Sequence, residues 1–234
     1  MKKKFLIITV LLTCINLFAQ GGVNQYDDNG KRHGVWKGTY ENSGNPRYQG
    51  TFEHGNEKGV FKFFNNDKES VVIATRDFTK GDGVSYTIFY DADGKKLSEG
   101  KEVNRLREGE WKFYHPGKEA IMSLEHYKNG KLTGVRKVFF PEGAIAEEAQ
   151  YQNGVKHGIY KKYTEEGIVL QELVYKEGKM HGPATYRDSQ GEIVSKGNYT
   201  DNVKSGIWMY YEKGKVVKKE TDEDRRVEIV RQRG

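Results

Sequence analysis

Three histidines sit in one local context, His33, His157 and His181, each immediately before a glycine and within a few residues of lysine, tyrosine or glutamate. Imidazoles in that company could hold a divalent cation or act as general bases. Ligands must lie about 2 Å from a shared ion, and a base needs a positioned partner in a pocket. Carboxylate pairs such as Glu147 with Glu148 and Glu165 with Glu166 add candidate acids, and GDG at 81–83 is a possible phosphate-binding turn. None of these stretches has the strand-to-helix setting of a phosphate loop or of a serine nucleophile elbow. What positions the histidines therefore decides their use.

The glycine after each histidine belongs to a ruler that runs along the chain: Gly34, Gly59, Gly83, Gly109, Gly134, Gly158, Gly182 and Gly206, successive members 24 to 26 residues apart. A regular period of that length marks a repeat architecture. Four residues before the ruler stand Gly30, Gly55, Gly130, Gly154 and Gly178, mostly as Asn-Gly or Glu-Gly turn signals. One residue after it come Val35, Val60, Val84, Val135, Ile159 or Ile207, and two after it Trp36, Phe61, Trp111, Tyr160 or Trp208. A further aromatic column holds Phe64, Tyr114, Phe139, Tyr163 and Tyr211, followed by glycine at 117, 143, 167, 191 or 214. β-Branched and aromatic runs between tight turns read as strands, so each unit reads as turn, short strand, turn, longer strand. The histidines are then turn residues. Equivalent positions on neighbouring hairpins stand two strand spacings apart, about 9.5 Å, too far for His157 and His181 to share an ion, and His33 lies five units away. No metal, cofactor or catalytic group is expected.

The blocks NGKRHGVW, NGKLTG, NGVKHGIYKKY, EGKMHG and DNVKSGIWMYY resemble the MORN family (membrane occupation and recognition nexus), in its variant form, over about residues 26–219. Arg105 replaces a turn glycine, Arg136 and Ala184 interrupt the aromatic column, and the third unit, TKGDGVSYTIFY, is irregular. The resemblance implies an all-β fold, one elongated, twisted antiparallel sheet of about eight hairpins. A 24-residue hairpin cannot bury its own apolar face and must stack on neighbours, which leads independently to the same architecture. The resemblance also links the chain to antitoxin components.

Composition agrees with a thin sheet: 35% hydrophobic and 31% charged residues, with Gly 28, Tyr 15 and Pro 4. Lys2, Lys3 and Lys4 followed by FLIITVLLTCINLF and Ala19 read as a signal peptide over residues 1–19. Cys14, the single cysteine, lies in that segment as a weaker lipoprotein alternative. The expected protein is exported, to the periplasm, envelope or medium. The net charge of +6 falls to 36 basic against 33 acidic residues, +3, without the three signal lysines, too little to favour nucleic acid. Residues 20–219 form the repeat domain, and 220–234 a charged tail or edge cap, with a short strand at VEIV as one option.

Three residues past the ruler lies a lysine column, Lys37, Lys62, Lys112, Lys137 and Lys161. Strand alternation sets it on the face opposite Trp36, Trp111 and Trp208. The three tryptophans are expected as the exposed part of an aromatic ladder, a contact surface for protein or glycan, and the lysines as either a solvent face paired with glutamates or a strip for anionic lipid. The expected function is a non-enzymatic scaffold for a macromolecular partner, with an antitoxin or immunity protein and an envelope tether as alternatives.

Overall fold

The computed structural model of the chain describes residues 22–79 and 83–233. The segment assigned to export, with Cys14 and the cut after Ala19, lies outside the described residues, as does part of the irregular third unit. The strands, in chain order, begin with β1 (Gln25–Tyr26), β2 (Arg32–Thr39), β3 (Pro46–Glu53), β4 (Asn56–Phe64), β5 (Val72–Asp77) and β6 (Val84–Tyr90). They continue with β7 (Lys96–Val103), β8 (Leu106–Tyr114), β9 (Ile121–Lys128), β10 (Lys131–Phe139), β11 (Ile145–Gln152) and β12 (Val155–Tyr163). The last are β13 (Val169–Lys176), β14 (Lys179–Arg187), β15 (Ile193–Thr200), β16 (Val203–Glu212) and β17 (Lys215–Glu220), after which comes helix α1 (Asp222–Arg233). Every strand pairs antiparallel with its predecessor and successor, so the chain is one open meander of hairpins.

Two-residue turns close many of the hairpins, and both turn residues have positive φ: His54 and Gly55, Asn104 and Arg105, Asn129 and Gly130, Asn153 and Gly154, Glu177 and Gly178, Asp201 and Asn202. That is the type I′ geometry whose twist matches the flanking strands. On the other side of the sheet, five-residue loops are tied by aspartates. Asp91 Oδ1 accepts the N–H groups of Asp93 and Lys95, and Asp188 Oδ1 those of Gln190 and Glu192.

The ruler glycines lie inside strands rather than at turns, except Gly83, which is at a turn just before β6. Gly158 lies inside β12, where Ala149 pairs with Tyr160 and Tyr151 with Lys156, so three residues of β12 face one of β11. This is a β-bulge, and its φ of 103° at Gly158 is the conformation that favours glycine. The same slip recurs at β4, β10, β14 and β16. Most units are therefore two strands of nearly equal length, one of them bulged; His157 and His181 sit at such bulges, and His33 lies within β2 opposite Gln25.

One face of the sheet is covered by its own side chains. Two apolar clusters lie on it, Trp36, Phe52, Phe61 and Phe78 towards the N-terminus and Ala149, Tyr160, Leu173, Ala184 and Trp208 towards the C-terminus. Between them Trp111 is buried among polar residues: Ser85, Thr87, Ser98, Glu102, Ser123 and Glu125 are buried as well. Arg76 Nε donates to Glu102 Oε2 at 2.9 Å and Thr87 to the same oxygen at 2.8 Å. Arg136 Nε reaches Glu125 Oε1 at 2.8 Å, and Tyr127 OH donates to Glu125 Oε2.

In the C-terminal segment, where a short strand at VEIV is one option, the chain is helical. VEIV lies within α1, and Arg225 bonds the carbonyls of Gly206 and Glu220 while Asp222 accepts the Gly206 N–H. The helix starts at Thr221, whose hydroxyl accepts the Asp224 N–H while Asp224 accepts the Thr221 N–H, a reciprocal cap. Acidic residues fill the first turn, where the helix dipole favours them.

Candidate functional site

The aromatic column is interior. Trp36, Trp111 and Trp208 are 7%, 0% and 1% exposed, so they are not the contact surface expected of them. Each indole N–H donates to a neighbouring strand's carbonyl, Gln25, Lys101 and Asn198 respectively, at 2.9–3.0 Å. Trp111 lies over Gly100 and Trp208 over Gly197, where an added Cβ would come within 2.5 Å of the indole. Phe61 lies over Gly50 and Tyr160 opposite Ala149 in the same manner. A large ring thus covers the small residue of the preceding strand, and one sheet layer becomes watertight on that face.

From β4 onward the rings recur on every second hairpin, at β4, β8, β12 and β16, and Trp36 on β2 adds one in the hairpin before. The intervening positions are Thr87, Arg136 and Ala184 on β6, β10 and β14. Arg136 and Ala184 are therefore alternate members of a two-hairpin repeat rather than decayed copies. From β8 onward the position two before the ruler follows the same beat. Arg107, Lys156 and Lys204 stand 4.6, 4.6 and 4.5 Å over the rings of Trp111, Tyr160 and Trp208, whereas Leu132 and Met180 fill the intervening units. These cations gain from the ring quadrupole while their stems cover apolar surface.

The opposite face is open, and it carries two columns. Val35, Val60, Val135, Ile159 and Ile207 are exposed there. The lysine column runs beside them, on the face away from the rings. Lys112 pairs in register with Glu99, Lys137 with Glu148, and Lys161 with Glu148 and Glu172. Lys137 Nζ lies 3.6 Å from Glu148 Oε1. Lys37 and Lys62 instead face Gln49 and Thr75. Tyrosines brace the carboxylates: Tyr163 OH donates to Glu148 at 2.7 Å, and Tyr114 OH to Glu99. Burial, reinforced by Glu148, pushes the Tyr163 phenol up to about 12. Burial pushes Tyr160 up to about 12 as well.

One grouping was not legible from the ruler. The side chain just before a ruler glycine meets the first turn residue of the next hairpin, as where Glu108 accepts the Asn129 N–H at 2.8 Å. In the first unit this contact joins His33 to His54, with ring centroids 4.8 Å apart, and Asp27 Oδ2 lies 2.7 Å from His54 Nδ1. The spacing of about 21 residues between the two columns is the signal that would have revealed it.

The family model for the MORN repeat variant matches residues 132–153 and 156–177, two adjacent repeats that coincide with β10–β11 and β12–β13. No curated protein matches the chain. Among solved structures, a chain described under "Crystal structure of GtfA/B complex" is similar at 13% identity with a TM-score of 0.29, over 38% of this chain and 18% of that one. This chain thus spans under a fifth of that one's length, and a likeness of that degree carries no functional argument.

Proposed function

We propose that the protein is an exported, non-enzymatic scaffold whose open face binds a protein partner. Repeats of this kind are interaction modules, and here the covered face is consumed by packing. The observation that carries the reading is the exposed aliphatic column Val35, Val60, Val135, Ile159 and Ile207. Those side chains add nothing to the ring-over-glycine packing, and apolar surface kept in water at a repeating position is what a contact strip requires. Glutamates stand opposite Lys112, Lys137 and Lys161 in the sheet, and Lys137 pairs with Glu148, so part of the lysine charge is offset there. That favours a protein partner over an anionic membrane surface.

The test is a crosslinking pull-down from the native envelope with wild type and an Ile159→Asp/Ile207→Asp variant. Both positions are solvent-facing, and circular dichroism of the variant checks that the sheet is kept. The expected result is a partner captured by wild type and lost from the variant; equal capture by both would refute the open face as the contact. Mass spectrometry of the mature N-terminus tests export, with a start after Ala19 expected and an intact Met1 overturning it.

A further inference from the structure

We propose that Asp27, His33 and His54 form a divalent metal site of the zinc class at the N-terminal end of the sheet. One ligand atom from each lies within 4.8 Å of the others. The three come from separate elements: Asp27 from the loop between β1 and β2, His33 from β2 and His54 from the turn between β3 and β4. Two imidazoles and one carboxylate are a donor set that Zn2+ takes at about 2.0–2.1 Å, with a fourth position open to water or another ligand.

Each member is placed for that use. Asp27 Oδ1 is occupied, accepting the N–H groups of Asn29 and Lys31 at 3.0 and 2.9 Å. The carboxylate is thereby fixed in orientation, its side chain 9% exposed, with Oδ2 directed at His54. This is the supporting shell that ligating carboxylates usually have. His54 is the exposed partner, 63% accessible, and its ring can move the short distance that converts a hydrogen bond into two bonds to a shared ion. It also occupies a turn position with φ of 49°, where Asn104, Asn129 and Asn153 stand in other hairpins. Glu177 and Asp201 fill that position in two further hairpins, so the turn accepts several residue types and the choice of histidine is left to its side chain. His181 and Asp201 repeat two of the three positions at 3.4 Å, without a third ligand among the described residues. An ion bound at Asp27, His33 and His54 would clip the first loop to the second hairpin.

The experiment is zinc titration by calorimetry of the tag-free chain, beside His54→Asn and His33→Thr. Both substitutions install residues that the chain already uses at equivalent positions, Asn153 and Thr133, so the fold is kept. Wild type is expected to bind one Zn2+ per chain, with a rise in Tm on adding zinc. Each variant is expected to lose affinity by at least the ~10–100-fold that even a lost supporting contact costs, and to lose the Tm response. His157→Ala should bind as wild type does. Absence of one-to-one binding in wild type, or unchanged binding in either His33→Thr or His54→Asn, overturns the site.

Discussion

At the scale of single residues, the decisive contact is a ring on a glycine. Gly197 has no room for a Cβ beneath Trp208, and overpacking of that sort costs about 1–3 kcal/mol. Gly197→Ala should therefore lose about 2 kcal/mol in urea unfolding, and the added Trp208→Leu should cost less than the two single changes summed. The spacing of the rings was plain in the sequence. Their burial was not, because alternation assigns residues to faces without saying which face the side chains close over. The missing signal was the partner glycine: Gly100 and Gly197 lie off the ruler and acquire meaning only once the strand register is known. The phenols give a second test. Tyr160 and Tyr163 are raised to about 12 against about 10 in an unfolded chain. The stability they contribute is complete below pH 10 and declines as pH rises from about 10 to 12. Absorbance titration should show late-ionising tyrosines whose ionisation coincides with loss of β-sheet circular dichroism.

At the scale of elements, the hairpin turn sets the register and the bulge sets the ring. Arg105 stands where other hairpins have glycine, with φ of 67°. A left-handed residue costs about 1–2 kcal/mol, glycine's larger unfolded-state entropy offsets about 0.5–1 of that, and the exposed ion pair of Arg105 with Glu57 adds little. Arg105→Gly should thus stabilise by about 0.5 kcal/mol, and Gly154→Arg should destabilise by about 1 kcal/mol, both measured as urea midpoints. The ruler itself was read correctly as a repeat and incorrectly as a series of turns, since a glycine of positive φ serves a bulge as well as a bend. The C-terminal VEIV shows the converse limit. Its β-branched residues suit a strand, but the reciprocal cap of Thr221 with Asp224 and the acidic first turn commit the segment to helix.

At the scale of the whole molecule, two apolar ends are joined by a middle in which buried polar residues surround a single indole, Trp111. Strands share backbone ladders only with their sequence neighbours, so stability is largely a sum of local interfaces, and the middle transmits cooperativity through the largely buried pairs of Arg76 with Glu102, which spans β5 to β7, and Arg136 with Glu125. Removing one partner of such a pair costs about 3–5 kcal/mol. Arg76→Met should cost about 3 kcal/mol and split thermal unfolding into two transitions, one followed by Trp36 and the other by Trp208 in single-tryptophan variants. A single sharp transition in Arg76→Met would show that the ends are coupled by other contacts. The meander was legible because its period is written in glycines and turn pairs. The division into apolar ends and polar centre was not, because Thr87, Glu102 and Glu125 look like ordinary surface residues until their strand partners are known.

The beat of two hairpins on the covered face has a consequence for how such a chain can change length. Excising residues 156–179 would set the strand of Ala149 beside that of Ala184, two small residues with no ring between them. Excising 156–203 would set Ala149 beside Trp208 and restore a ring on a small neighbour. From β8 onward the heritable increment is then a pair of hairpins, since loss of a single ring-bearing one would leave a gap in the roof of the sheet.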